Sequence, residues 1–203
     1  IICITDSPVY ADIAKHYGAS VPDPLRPESL SGSLSPDIEW VSWILAELNN
    51  NKNYPEVFSI LRPTSPFRSA KTIRDGYKSF MDDLSADSLR AIELTSQHPG
   101  KMWMVRNNRM LPLLPFDIDG VAWHSSQYAN LPEIFIQNAS LEFAYTKIVT
   151  DLGSISGECI LPFFTRGLEG FDINTPEDWT LAETYFNSNQ AELPEIQYAP
   201  YNN

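Results

Sequence analysis

The chain has 203 residues, 43% of them hydrophobic and 20% charged. That composition excludes a disordered segment and supports one domain with a real core. A net charge of -12 and a pI near 4.5 set up a surface that repels phosphate backbones, which argues against nucleic acid as a partner but not against a small anionic ligand held by a few Arg or Lys residues or a divalent metal.

The first half alternates strand and helix. Ile1 to Thr5 is a short apolar run that reads as a buried strand, and its position at the start of the chain suggests a fragment. Asp6-Ser7-Pro8 supplies a cap followed by Pro, so a helix is expected over Val9 to Tyr17, closed by Gly18. Ala19 to Val21 reads as a second short strand, and Pro22 to Ser35 as a polar loop. Pro36 to Glu39 opens a helix with Trp40, Ile44, Leu45 and Leu48 on one face, ending over Asn49 to Asn53. Val57 to Leu61 is a buried strand stopped by Pro63-Thr64-Ser65-Pro66; Ser69 to Met81 is an amphipathic helix; Ser88 to Leu94 is a further strand. This β-α-β-α-β-α-β order predicts a largely parallel sheet with helices on both faces, and ligands beyond the carboxyl ends of its strands. The loops after Thr5, Leu61 and Leu94 are where a site is expected.

The second half is less regular. Lys101 to Val105 and Met110 to Leu114 flank a turn at Asn107-Asn108-Arg109 and predict a hairpin. Glu133 to Phe143 is one extended apolar segment interrupted at Asn138. Ile160 to Phe164 is a strand, and Thr175-Pro176-Glu177-Asp178 starts a final helix, Glu177 to Phe186, followed by a polar tail. Cys3 and Cys159 have no metal or redox spacing and read as core residues of a protein in a reducing compartment, the cytoplasm by default. His16, His98 and His124 share no ligand spacing, which argues against zinc, and no Ser-His-Asp order supports a hydrolase triad. No apolar stretch is long enough to span a bilayer, so no membrane partner is expected.

Seven segments, in order, resemble the acylneuraminate cytidylyltransferase (CMP-N-acetylneuraminic acid synthetase) family. They are Thr5-Asp6-Ser7; Leu25-Arg26-Pro27 with Leu30; Leu61-Arg62-Pro63-Thr64-Ser65-Pro66; Ala86-Asp87-Ser88; His98-Pro99-Gly100-Lys101; Leu131-Pro132 leading to Gln137-Asn138-Ala139; and Phe171-Asp172-Ile173-Asn174-Thr175-Pro176-Glu177-Asp178-Trp179. The resemblance implies a three-layer α/β/α, nucleotide-diphospho-sugar transferase-like (Rossmann-like) fold with a mostly parallel sheet and a small dimerisation extension. It implies a cytidylyltransferase domain over 1–188 and a tail over 189–203. It also implies an N-terminal truncation, because nothing matches the family's first strand and its Gly-, Arg- and Lys-rich phosphate loop.

The implied reaction is transfer of CMP from CTP to a sialic-acid-like keto sugar acid, with pyrophosphate released, in a cytoplasmic homodimer. Other acceptors remain open, of octulosonate, legionaminate or pseudaminate type, as does a non-catalytic protein of the same fold. Asp172 and Asn174, two oxygen donors one residue apart, would hold Mg²⁺ or Mn²⁺, with Asp172 as the catalytic residue; the same pair could instead prepare the helix cap. The family usually has a second aspartate where Asn174 stands. Arg26 and Ser35 are implied at the cytosine. Arg62, Lys101, Gln127 and Asn138 are implied at the sugar, Lys101 reaching it from the partner of a dimer. Arg62 pairing with a nearby Asp, and Asn138 serving a turn, are the alternatives from the residues themselves.

Overall fold

Capping residues and prolines decide where the helices begin. Ser7 accepts a hydrogen bond from Tyr10 N at 3.4 Å and Pro8 occupies the first turn, so α1 (Pro8–His16) starts at the predicted signal. Gly18, at φ 83°, turns the chain out of it. The computed structural model describes residues 1–50 and 54–202, and α2 (Asp37–Asn50) is seen to Asn50; the rest of its expected end, 51–53, lies outside the described residues. The chain continues through β1 (Val57–Ile60), α3 (Ala70–Asp82, capped by Ser69) and β2 (Ser88–Leu94). Next come the hairpin β3 (Trp103–Arg106) and β4 (Arg109–Pro112) and the short pair β5 (Asp117–Ile118) and β6 (Val121–Ala122). The last elements are β7 (Phe135–Tyr145), α4 (Thr146–Leu152), β8 (Ile160–Phe164) and α5 (Pro176–Asn187).

Among the described residues the main sheet has the order β1-β7-β2-β8. β7 runs antiparallel to both β1 and β2, and β8 runs parallel to β2. Three of the four strands therefore share a direction, and β7 is inserted between the two that the first half of the chain supplies. Alternation along the strands gives the sheet two apolar faces. Leu89, Ala91, Leu141 and Phe143 pack with Phe80 of α3 on one face. Ile60 packs with Val41 and Leu45 of α2 and Val149 of α4 on the other. Helices on both sides make the three layers that the βα alternation predicts.

Three expectations need correction. Ile1 to Thr5 is not a buried strand: Ile1 is exposed, and the segment makes one parallel bridge, Ile2 with Ser20. The bridge is closed by Ser20 N donating to Ile1 O at 2.9 Å and Cys3 N donating to Ser20 O at 2.8 Å, so Ala19 to Val21 is likewise a bridge rather than a strand. Cys159 is exposed rather than core, because it precedes β8 at the sheet's margin. The polar tail, for its part, has contacts with the start of the chain. Tyr201 N donates to Tyr17 OH at 3.0 Å and His16 Nε2 bonds Ala199 O at 2.7 Å, which returns the tail to the end of α1. Among the described residues no helix is long and apolar enough to cross a membrane.

Candidate active site

The interruption predicted at Asn138 is a bulge. β2 pairs Arg90 with Glu142 and Ile92 with Gln137, so one β2 residue faces four residues of β7. The bulge pushes Asn138 toward the loop that follows β8. The side chain is held there by three bonds: Nδ2 donates to Glu93 Oε2 at 3.2 Å and to Thr165 Oγ1 at 2.9 Å, while Oδ1 accepts from Ser140 N at 3.2 Å. Arg68 braces the same region, its Nη1 donating to Ser140 O and, at 3.1 Å, to Arg62 O.

A cleft of about 480 Å³ opens beside this bulge, at the carboxyl ends of β1, β2 and β8. It is where a sheet of this kind places its ligands. Of the residues singled out from sequence, it brings together Arg62, Asn138, Asp172 and Asn174, and adds Glu93, Glu142 and Gly170. A larger cavity, about 560 Å³, sits at the other end of the sheet beside Glu56, Asp87 and Lys147. It faces the amino ends of β1 and β2, the wrong end for ligand chemistry in this architecture.

Asp172 is positioned from two sides. Ile173 N donates to Thr64 O at 2.9 Å, tying the segment to the turn after β1, and the Phe171 ring lies 5.7 Å from that of Phe67. Asn174 Nδ2 donates to Asp172 Oδ2 at 2.8 Å, whereas Asp172 Oδ1 is buried and without a partner among the described residues. These two side chains do not cap α5. Thr175 and Asp178 form that capping box, with Asp178 N donating to Thr175 Oγ1 at 3.2 Å and Thr175 N to Asp178 Oδ2 at 2.9 Å. The backbone N–H of Asn174 and the Thr175 hydroxyl and amide hold the Asp178 carboxyl below its ordinary range. Among the described residues no three His, Cys, Asp or Glu groups converge as a metal cage, and the unpartnered oxygen of Asp172 is itself buried.

Arg62 is held by carboxylates. Its guanidinium forms an ion pair with Asp37 at the start of α2 and lies 3.6 Å from Glu142 Oε1. The other oxygen of Glu142 pairs with Arg90, whose Nη2 donates to Ser156 Oγ at 2.7 Å and Ile155 O at 3.2 Å. Burial on its own raises the Asp37 carboxyl. Hydrogen bonds from Arg62 and Trp40, together with the charges of Arg62 and Arg90, outweigh that and leave it below the usual carboxylate range. Burial pushes the Arg90 guanidinium down from its ordinary value, which is high enough that it stays charged.

The remaining predicted residues do not line the cleft. Arg26 Nε donates to Ser31 Oγ at 2.9 Å and its Nη2 lies 3.4 Å from Asp6 Oδ1, so Ser31 rather than Ser35 is the serine against Arg26. Ser35 closes a turn through its amide, which donates to Gly32 O at 3.0 Å. Lys101 Nζ donates to Ser126 O and, at 3.1 Å, to His124 O, and sits 5.5 Å over the Tyr128 ring. Gln127 is exposed nearby without a side-chain bond among the described residues. Sequence reasoning missed Glu93, Glu142 and Gly170 in the cleft, and Arg90, which pairs with Glu142 beside it. Arg90 and Glu142 each interrupt an apolar strand run, which was the available signal for a buried pair.

Helices on both faces of a sheet with three strands in one direction, and a carboxylate-bearing cleft at their carboxyl ends, make a three-layer α/β protein with its cleft where such folds bind ligands. A solved structure of CMP:2-keto-3-deoxy-manno-octonic acid synthetase complexed with CTP has the same fold, with a TM-score of 0.61 over 93% of this chain and 80% of that chain at 9% identity. No protein-family model matches the chain. The CMP-N,N'-diacetyllegionaminic acid synthase of Legionella pneumophila subsp. pneumophila (strain Philadelphia 1) is 31% identical over 196 residues, spanning 95% of this chain and 80% of that protein. The chain belongs to the acylneuraminate cytidylyltransferase family.

Proposed function

We propose that this protein is a cytidylyltransferase that moves CMP from CTP onto a sialic-acid-like keto sugar acid and releases pyrophosphate. The observation that carries this reading is Asp172 in the lining of the cleft at the carboxyl ends of the strands, its Oδ1 buried and without a partner among the described residues, within a chain of this family. The 31% identity to a legionaminate-activating relative favours an acceptor of legionaminate type among the nonulosonic and octulosonic acids.

Asp172 would hold Mg²⁺ or Mn²⁺, hard cations that take oxygen donors. Such an ion, when bound, neutralises charge on the triphosphate. Asn174 orients Asp172 through its amide and keeps its carbonyl oxygen for a ligand. The sugar oxygen attacks the α-phosphate, its bond to phosphorus forms as the bond to pyrophosphate breaks, and the protein's part is alignment and charge compensation. Arg62, already between two carboxylates, supplies the cleft's cation for the sugar carboxylate. Arg26, with Ser31 or Ser35, is assigned to the cytosine. Lys101 and Gln127, beside one another on the extension, are assigned to the sugar of a partner subunit. Exposed Val105, Met110 and Leu111 on the β3–β4 hairpin support a homodimer built on that extension.

The test is pyrophosphate release with CTP, Mg²⁺ and a panel of octulosonic and nonulosonic acids. Release with one acid, lost in Asp172→Ala without loss of folding, is the expected result. No release with any acid by folded protein overturns the catalytic reading.

A further inference from the structure

Both amide hydrogens of Asn138 are already committed within the protein, so it has no donor to spend on a ligand in this arrangement. Both its donated bonds and its accepted bond go to Glu93, Thr165 and Ser140. Its effect is to hold one oxygen of Glu93, at the end of β2, on the wall of the cleft. Glu93 Oε1 has no partner among the described residues. Gly170 closes the clamp from the opposite side. A Cβ there would overlap both Glu93 Oε2 and the Asn138 amide, so the approach exists only because the residue is glycine. Arg62, the cation among the described residues that line the cleft, is tied to Asp37 and Glu142, and Glu93 forms no ion pair among the described residues.

We infer that Glu93 is the specificity-determining residue for the acceptor sugar, its free oxygen accepting a hydrogen bond from a donor on the sugar away from the carboxylate, and that Asn138 and Gly170 are its positioning residues. This rests on the cytidylyltransferase reading above. The carboxylate is acceptor-only, so it selects sugars that present a hydroxyl or an amide N–H at that point and rejects those that present an acceptor or a second anion. Loss of a hydrogen bond to a charged group lowers affinity by about tenfold or more.

The experiment measures equilibrium binding and KM for CTP and for the acceptor, using an eight-carbon keto acid that bears hydroxyls alone and nine-carbon keto acids that bear N-acetyl groups. The proteins are the wild type, Glu93→Gln, Glu93→Ala and Gly170→Ala. The proposal expects the acceptor Kd and KM of all three variants to rise about tenfold or more, unequally across the panel, with the CTP KM within about twofold of wild type as the control for folding. Gly170→Ala keeps the charge and displaces the clamp, so it separates placement from electrostatics. An unchanged acceptor KM in Glu93→Ala, or an equal rise for CTP and acceptor, overturns the assignment while leaving the enzyme reading intact. Wild-type protein that binds none of the acids overturns both.

Discussion

Arg90 and Glu142 face each other across the adjacent strands β2 and β7 and form an ion pair in which both side chains are less than a tenth exposed. Removing one partner leaves the other charged and desolvated. Glu142→Leu alone should destabilise the fold by about 3–5 kcal/mol, and Arg90→Met combined with Glu142→Leu should recover most of that. Urea unfolding of the single and double variants checks both values. A double variant no more stable than the single would show that the strands need the charges themselves.

Asp37 should make the fold acid-sensitive. Its folded carboxyl lies below the ordinary value of 3.8, so the stabilisation it brings is complete above that value and is lost as pH falls through the folded one. Asp37→Asn should flatten the fall of the urea midpoint below pH 3.8 relative to wild type, and lower the midpoint near neutrality, where Arg62 keeps only Glu142. Parallel midpoint curves for the two proteins would remove Asp37 from the acid transition.

Phe80 is fully buried and stacks on Phe143 with ring centroids 6.3 Å apart and planes 14° from parallel. It joins α3 to the centre of the sheet. Phe80→Ala should cost about 3–5 kcal/mol through lost transfer energy and a residual cavity. Thermal unfolding of the variant tests this, and a change under 1 kcal/mol, roughly the effect of a surface substitution, would mean that the face repacks.

Thr175 caps α5 one residue beyond Asn174, which holds Asp172. Thr175→Ala should lose about 1 kcal/mol of stability. It should also raise the concentration of Mg²⁺ needed for half-maximal pyrophosphate release, because Asn174 N shares Asp178 with the cap. An unchanged Mg²⁺ requirement would show that Asp172 is placed by Thr64 and Phe67 instead.

The sequence by itself determined the local elements, because their signals are local. Ser7-Pro8, Ser69 and Thr175 start helices through backbone bonds within a few residues, and Asn107 and Asn108 accept the positive φ of 49° and 56° that a tight hairpin turn requires. The motif after β8 also put Asp172 and Asn174 on one side of an extended segment, as their hydrogen bond shows. Tertiary structure decided everything that depends on a partner distant in the chain. No periodicity within Phe135–Tyr145 says that this strand enters antiparallel between β1 and β2, since a strand's alternation marks its faces and not its neighbours. The bulge that turns Asn138 onto Glu93, the choice of Asp37 and Glu142 as partners for Arg62, and the glycine gap at 170 arise only when β2, β7 and the loop after β8 are brought together. A charge on an apolar strand announces that a counter-charge is required, and only the folded sheet supplies which one.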